Sequence, residues 1–306
     1  MSKIAFVFPG QGSQTVGMGR DLGEGSPRWD EANAALQFDL RRLCFEGPEA
    51  DLVLTTNTQP AILATSIVAL DALTAAGVTC DYVAGHSLGE YSALVAAGAL
   101  EFADALRTVR ARGRFMQEAV PPGEGSMAAV LGLDRRLIFQ ACEEARSAGL
   151  VQVANLNAPG QTVIAGATAA VKHAAELAKA KGAKRAVLLP VSAPFHCALL
   201  EPAARRLAEV LRDVTIHDLR TPLVTNVDAE LLSEGARVAD ALVRQVTSPV
   251  RWEEVVVRLT KEGVDTFVEA GPGKVLSGLI RRIAPEVRVL NVEDRASLQT
   301  TLEVLG

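Results

Sequence analysis

The stretch CDYVAGHSLGEYSAL, Cys80 to Leu94, decides how the chain is read. An apolar run stops at Gly85, Ser87 follows two residues later, Gly89 two beyond that, and helix-forming residues take over at once. Gly-x-Ser-x-Gly between a strand and a helix is the spacing of a nucleophile elbow, a sharp turn that exposes the serine at the end of a parallel sheet. The glycines supply room, because side chains two positions either side of the serine would collide across the turn. The turn also sets the Leu88 amide beneath the carbonyl that Ser87 would attack, with the positive end of the following helix behind it. The competing reading is a glycine-lined bend with an inert serine. The strand before and the helix after favour the elbow.

The same grammar extends in both directions. Residues 4–8 read as a short buried strand closed by PGQGSQ. TQPAILATSIVALDALTAAG reads as a helix with Pro60 in its first turn and Gly77 as its stop, and further helices are expected at about 89–97 and 102–119. Strand, tight turn and helix in succession predict an α/β fold with a parallel sheet. At VPPGEGS, residues 120–126, the pattern changes to β-α-β-β-α-β, the split βαβ arrangement. The expectation is a hydrolase-like parallel-sheet domain of residues 1–123 and 191–306, interrupted by a ferredoxin-like small domain of residues 124–190. Beyond it, residues 196–211 read as a helix, TPLVTNVDA as a strand and VRWEEVVVRLTKEG as an amphipathic helix. VDTFVEAGPG then reads as a strand with a glycine turn, KVLSGLIRRI as a helix and VRVLNV as a final strand.

A serine nucleophile needs a base, and the chain has four histidines from which to choose. His173 stands among Lys172, Glu176 and Lys179 on a helix and reads as surface, while His217 lies in a charged segment without a motif. His86 is too close to Ser87 to fold back onto it and reads as a packing or hydrogen-bonding residue. His196, in LLPVSAPFHCALL, falls where a strand ends and a helix begins, and is the candidate base. No carboxylate follows it in a motif, and Glu201 reads as part of its own helix. An amide or a backbone oxygen is therefore expected to hold the imidazole, giving a dyad rather than a full triad. FPGQGSQ supplies a second turn at a strand end, with backbone amides around Gln11 for an oxyanion. It is not a phosphate cradle, because no lysine follows, and Gly10, Gly12 and Thr15 are out of register for a dinucleotide fingerprint.

One cation falls in an apolar place. In EFADALRTVRARGRFMQEAV, Phe102, Leu106, Val109, Met116 and Val120 share a helical stripe, and Arg112 lies on it while Arg110 and Arg114 do not. A guanidinium on an inward face is costly unless an anion meets it. The anion is either an internal Asp or Glu, or a carboxylate on the substrate held through two parallel hydrogen bonds.

Composition sets outer limits. A net charge of -5 argues against a nucleic-acid surface, and paired basic residues such as Lys184-Arg185 read as solvated or as a local dock for an acidic partner. Cys44, Cys80, Cys142 and Cys197 share no metal-binding spacing, which fits free thiols in a reducing compartment. The apolar start of MSKIAFVFPG is too short for a signal peptide, and the Ala-rich run 61–76 is broken by Thr65, Ser66 and Asp71, as in a buried helix rather than a membrane span. A cytoplasmic protein without membrane or nucleic-acid partners is expected.

Taken together, FVFPGQGSQ, GHSLGE, SAPFH, NLNAPGQTVIAG and VEAGPGKVLSGL resemble the malonyl-CoA:acyl carrier protein transacylases of type II fatty-acid synthesis. They are also similar to the related acyltransferase domains of polyketide synthases, and the likeness spans almost the whole chain. The resemblance implies the fold read above, with the active site in the cleft between its two parts. It implies Ser87 as the acylated nucleophile, His196 as general base, Arg112 on the malonyl carboxylate and the amides of Gln11 and Leu88 as oxyanion hole. Gln245, in VRQVTSPVRW, would match the residue that orients the histidine, and His86, Asn155 and Met116 would line the pocket. Phe195 resembles the malonyl-specific form, whose ring leaves no room for a 2-methyl group. The implied reaction is ping-pong transfer of malonyl from malonyl-CoA to the phosphopantetheine thiol of acyl carrier protein, with no metal or organic cofactor. The same groups could instead hydrolyse the ester, or the chain could be a non-catalytic carrier-binding subunit.

Overall fold

Alternate residues of the first strand enter two different cores. In the computed structural model, which describes residues 2–191 and 193–306 and so leaves Ser192 of SAPFH outside, β1 spans Lys3–Phe8. Phe6 and Phe8 join one apolar cluster, while Ala5 and Val7 join another. A strand buried on both faces needs no polar alternation, which is why KIAFVF is almost wholly apolar. β1 lies between β2 (Tyr82–Gly85) and β9 (Val264–Ala270). Outside these lie β10 (Arg288–Val292) on one side, and β7 (Leu223–Val224) and β8 (Leu231–Leu232) on the other, giving the order β10-β9-β1-β2-β7-β8. β7 and β8 pair antiparallel and the remaining pairs are parallel. Phe8 is level with Gly85, so β1 and β2 end side by side, at the carboxyl edge where open parallel sheets place their ligands.

Helices Thr55–Ala75, Gly89–Ala96 and Phe102–Glu118 pack Ile62, Leu63, Leu94, Leu106 and Val109 into the cluster of Phe6 and Phe8. Helices Trp252–Lys261 and Val275–Ile283 cover the other face through Trp252, Val256, Leu259, Leu276 and Ile280. β3 (Gly125–Leu131), β4 (Val151–Ala158), β5 (Gln161–Ala167) and β6 (Arg185–Leu188) form a separate antiparallel sheet in the order β4-β5-β3-β6, the ferredoxin-like arrangement. Helices Arg135–Glu144 and Thr168–Ala180 bury Ile138, Val171 and Ala174 against one face of it. Met127, Val163 and Ala165, on the opposite face, belong to the main core. The Leu156 amide donates to the Val250 carbonyl and the Val250 amide to the Ala154 carbonyl, both at 2.9 Å, which ties β4 to the larger part.

Several elements differ from the sequence expectation. The helix expected to carry Pro60 in its first turn begins at Thr55, because the Asn57 and Thr58 amides both reach the Leu54 carbonyl, and Pro60 is its sixth residue. The helix expected from residue 196 begins at Glu201 after a short turn at Ala198–Leu200, and His196 has a left-handed φ of 60° that no helix admits. TPLVTNVDA contributes only the two strand residues of β7. A helix the sequence reading lacked, Arg295–Leu305, closes the chain: Asp294 accepts from the Ser297 amide, and the Ser297 hydroxyl accepts from the Asp294 amide.

The elbow glycines are sterically required. A Cβ on Gly85 would lie 2.0 Å from the carbonyl carbon of Gly89, and a Cβ on Gly89 would lie 2.0 Å from the Phe8 oxygen. The helix therefore starts directly on the ends of β1 and β2. Gly278, exposed within Val275–Ile283, has an ordinary helical φ, and a Cβ added there would meet nothing within 4 Å. In urea unfolding, Gly89→Ala is expected to cost about 3 kcal/mol or more, and Gly278→Ala to add roughly 0.5–1 kcal/mol. Equal effects of the two substitutions would show that the close approach at Gly89 does not constrain the turn.

Candidate active site

Ser87 adopts a φ of 53°, the strained backbone that an elbow imposes on its central residue. Its amide donates to Asn226 Oδ1 at 2.6 Å, and Asn226 Nδ2 donates to the Gly85 carbonyl at 2.7 Å, so one side chain clasps the turn from both sides. Ser87 Oγ is 2.8 Å from His196 Nε2. His196 Nδ1 is 2.9 Å from the Gln245 backbone oxygen. A carbonyl only accepts, so Nδ1 carries the hydrogen and Nε2 presents its lone pair to the serine hydroxyl. The group behind the histidine is thus a backbone oxygen, one of the two alternatives left by the sequence. Burial, followed by the Arg112 charge, lowers the His196 pKa to about 3, with the Gln245 carbonyl opposing.

Arg112 is 2% exposed. Its Nη1 donates to Gln59 Oε1 at 2.8 Å, and its Nη2 donates to Gln245 Oε1 at 2.8 Å and to Ser87 Oγ at 3.2 Å. Nε has no acceptor among the described residues. All of these partners are neutral. Burial lowers the Arg112 pKa, opposed by the nearby Tyr91 and Glu90, yet no carboxylate forms an ion pair with it among the described residues. A buried guanidinium held by amide oxygens and pointed at a serine keeps a charge that no ion pair offsets among the described residues.

These groups face a cavity of about 670 Å³ between the two sheets. Gln11, Ser87 and Leu88 form its floor at the ends of β1 and β2. No protein acceptor takes up the Gln11 or Leu88 amide among the described residues. Arg112 and Met116 come from the helix Phe102–Glu118, Asn155 from β4, and Phe195 and His196 from the segment after β6. His86 also lines the cavity; its Nε2 donates to Asn157 Oδ1 at 2.8 Å and its ring lies against Trp252. Gln245 is fully buried behind Arg112 and does not line the cavity. His173, half-buried on its helix, and His217, exposed, are not brought to the cleft. Glu201 pairs with Arg205 on its own helix.

An acyl transferase domain model matches residues 5–298 of the chain. The chain belongs to the acyl transferase family. Among similar proteins of this family is the malonyl CoA-acyl carrier protein transacylase of Bacillus subtilis, 51% identical across the whole of this chain and 98% of that protein. The acyl carrier protein S-malonyltransferase of Vibrio cholerae superposes with a TM-score of 0.96 at 46% identity, over 98% of this chain and all of that one. A malonyl-transacylase solved in complex with its type II PKS acyl-carrier protein matches with a TM-score of 0.96 at 46% identity, over 99% of this chain and all of that one.

Three residues of this acyl transferase site went unread in the sequence. Glu90, 1% exposed, accepts through Oε2 from Gln245 Nε2 at 2.7 Å and from the Asn226 amide at 3.1 Å. Burial raises its pKa to about 7, against those hydrogen bonds and Arg112. Its signal was a single charge in the otherwise uncharged helix GEYSALVA. Asn226 and Gln59 carry no comparable mark, since each acts through contacts distant in sequence.

His196 and Glu90 shift stability with opposite signs. The unfolded chain protonates His196 near its ordinary value of 6.5, the folded one only near 3, so the stability held by neutral His196 is present above pH 6.5 and lost as pH falls toward 3. Glu90, raised from 4.5 to about 7, instead costs stability as pH rises through that interval. Comparison with His196→Gln isolates the imidazole. From pH 6.5 to 5 the unmodified protein is expected to lose roughly 1–2 kcal/mol relative to that variant in urea unfolding. Parallel pH dependences would mean that the imidazole is not held neutral.

Proposed function

We propose that this acyl transferase moves a malonyl group from malonyl-CoA to the phosphopantetheine thiol of an acyl carrier protein, for fatty-acid synthesis, through a malonyl ester on Ser87. The observation that carries the reading is Arg112: a buried cation with no carboxylate paired to it among the described residues, its Nη2 3.2 Å from Ser87 Oγ. That arrangement suits an acyl group bearing its own free acid. The names of the full-length relatives agree with it.

In the first half-reaction Ser87 Oγ attacks the thioester carbonyl while His196 Nε2 takes its proton. The developing imidazolium is supported at Nδ1 by the Gln245 carbonyl, 2.9 Å away, and the oxyanion by the amides of Gln11 and Leu88. The tetrahedral intermediate collapses, the C–S bond breaks, and coenzyme A leaves as thiol with the proton from His196. In the second half the carrier's thiol gives its proton to His196 and attacks the ester, and Ser87 recovers its proton as the C–O bond breaks. Arg112 holds the malonyl carboxylate throughout, and its charge is then compensated by the substrate. Phe195, 9% exposed on the cavity wall, fills the space that a 2-methyl group would need.

Brief exposure to malonyl-CoA should add a malonyl-sized mass to the protein and none to Ser87→Ala. Pantetheinylated carrier protein should remove that mass and become malonylated itself; loss of the ester to water at a similar rate without carrier would identify a hydrolase instead. Arg112→Ala should lower kcat/KM for malonyl-CoA about 100-fold or more while affecting acetyl-CoA far less; equal losses would make Arg112 structural. Phe195→Ser should raise the methylmalonyl-to-malonyl rate ratio by roughly tenfold, and an unchanged ratio would refute the steric account.

A further inference from the structure

We propose that Glu90 is a positioning residue that fixes which way the Gln245 side-chain amide faces, and through that amide aims Arg112 at the acyl group's carboxylate. The inference rests on the reading of Arg112 given above and adds the device that sets its direction.

The two ends of a glutamine amide are alike in size and opposite in hydrogen bonding, so its neighbours decide its orientation. Gln245 is wholly buried and has acceptors on one side and a donor on the other. Its Nε2 donates to Glu90 Oε2 at 2.7 Å and to the Ser87 carbonyl at 3.0 Å, and its Oε1 accepts from Arg112 Nη2 at 2.8 Å. Each acceptor also takes a backbone amide, the Ser87 carbonyl from Glu90 at 3.2 Å and Glu90 Oε2 from Asn226 at 3.1 Å. Glu90 Oε2 is the nearer of the two to Gln245 Nε2. With the amide reversed, an NH2 group would face the guanidinium, and a carbonyl oxygen would face Glu90 Oε2 and the Ser87 carbonyl oxygen, both of which accept from backbone amides.

Glu90 is itself held in place. It sits in the first turn of the elbow helix, and the same Oε2 accepts from the Asn226 amide at 3.1 Å. The correct amide orientation leaves Arg112 gripped between two oxygens, Gln59 Oε1 and Gln245 Oε1, with Nη2 also reaching Ser87 Oγ. An acyl group with a terminal carboxylate depends on that aim. An acetyl group has no such carboxylate and does not.

The test uses acylation kinetics of the full chain with malonyl-CoA and with acetyl-CoA. Glu90→Ala is expected to lower the malonyl-to-acetyl ratio of kcat/KM by about 10-fold or more, on the scale of one buried hydrogen bond to a charged group. Glu90→Gln, whose carbonyl can take the same bond, should keep the ratio within about threefold of the unmodified protein. If Glu90→Ala does not fold, as judged by circular dichroism, Gln245→Met supplies the measurement: it keeps the backbone oxygen behind His196, loses the amide, and should lower the ratio by a similar factor. Where both fold, the double variant should lower the ratio no further than the worse single one, as residues acting in one chain of contacts do. A malonyl-to-acetyl ratio that stays constant in Glu90→Ala or Gln245→Met, or losses equal for both donors, would overturn the proposal and leave Glu90 a packing residue. If Arg112→Ala leaves that ratio unchanged, the reading of Arg112 fails and this inference falls with it. A collapse in Arg112→Ala without one in the Glu90 and Gln245 variants overturns the inference alone.

Discussion

The contact on which the site depends is between backbones: Gly89 rests on the Phe8 carbonyl, and Gly85 on Gly89, with no space for a methyl group at either. The elbow helix can start only where the ends of β1 and β2 allow, and this fixes where Ser87 stands. The left-handed backbone of Ser87 costs on the order of 1–3 kcal/mol and persists because its surroundings over-determine it. Asn226 clasps the turn through the Ser87 amide and the Gly85 carbonyl. His196 is left-handed as well, so Ser87 and His196 are both held in backbone conformations that an unsupported loop would abandon.

The second organising fact is how charge is arranged around that turn. Arg112, His196 and Glu90 are buried and His86 is half-buried, and each is moved by desolvation toward its neutral form. At His196, desolvation and the neighbouring cation both hold the imidazole neutral. An internal aspartate against Arg112 would have steadied the guanidinium and neutralised it as well. Amide oxygens from Gln59 and Gln245 orient it without neutralising it. The protein thereby orients the guanidinium and leaves its charge without an ion pair among the described residues.

Ser87, His196 and Arg112 were legible because each violates a local expectation: a serine between spaced glycines, a histidine at a strand end, an arginine on an apolar stripe. Gln245 offered no such sign. Its role lies in a backbone oxygen and a buried amide, 49 residues from His196 and 133 from Arg112, and only the likeness to a known family pointed to it. Glu90 and Asn226 meet across 136 residues, and no window of local sequence contains that contact. The parallel sheet and the ferredoxin-like insertion were read from periodicity. Pro60 misled because proline favours first turns but is tolerated deeper in a helix where little depends on its missing N–H. His196 was drawn into a helix because the residues after it are good helix formers, and a positive φ has no spelling in a non-glycine residue.

The small sheet turns one face to its own helices and the other to the main core, where Met127, Val163 and Ala165 join the cluster that contains Phe6 and Phe8. Two further backbone hydrogen bonds join β4 to Val250. The inserted segment is thus modular in topology and not in energetics. Cut out alone, it would expose an apolar face, and the remainder would lose a wall of its core. Recombination between relatives that exchanges residues 125–188 as a cassette must carry over the complementary surface, since the seam between the two parts runs through shared hydrophobic packing.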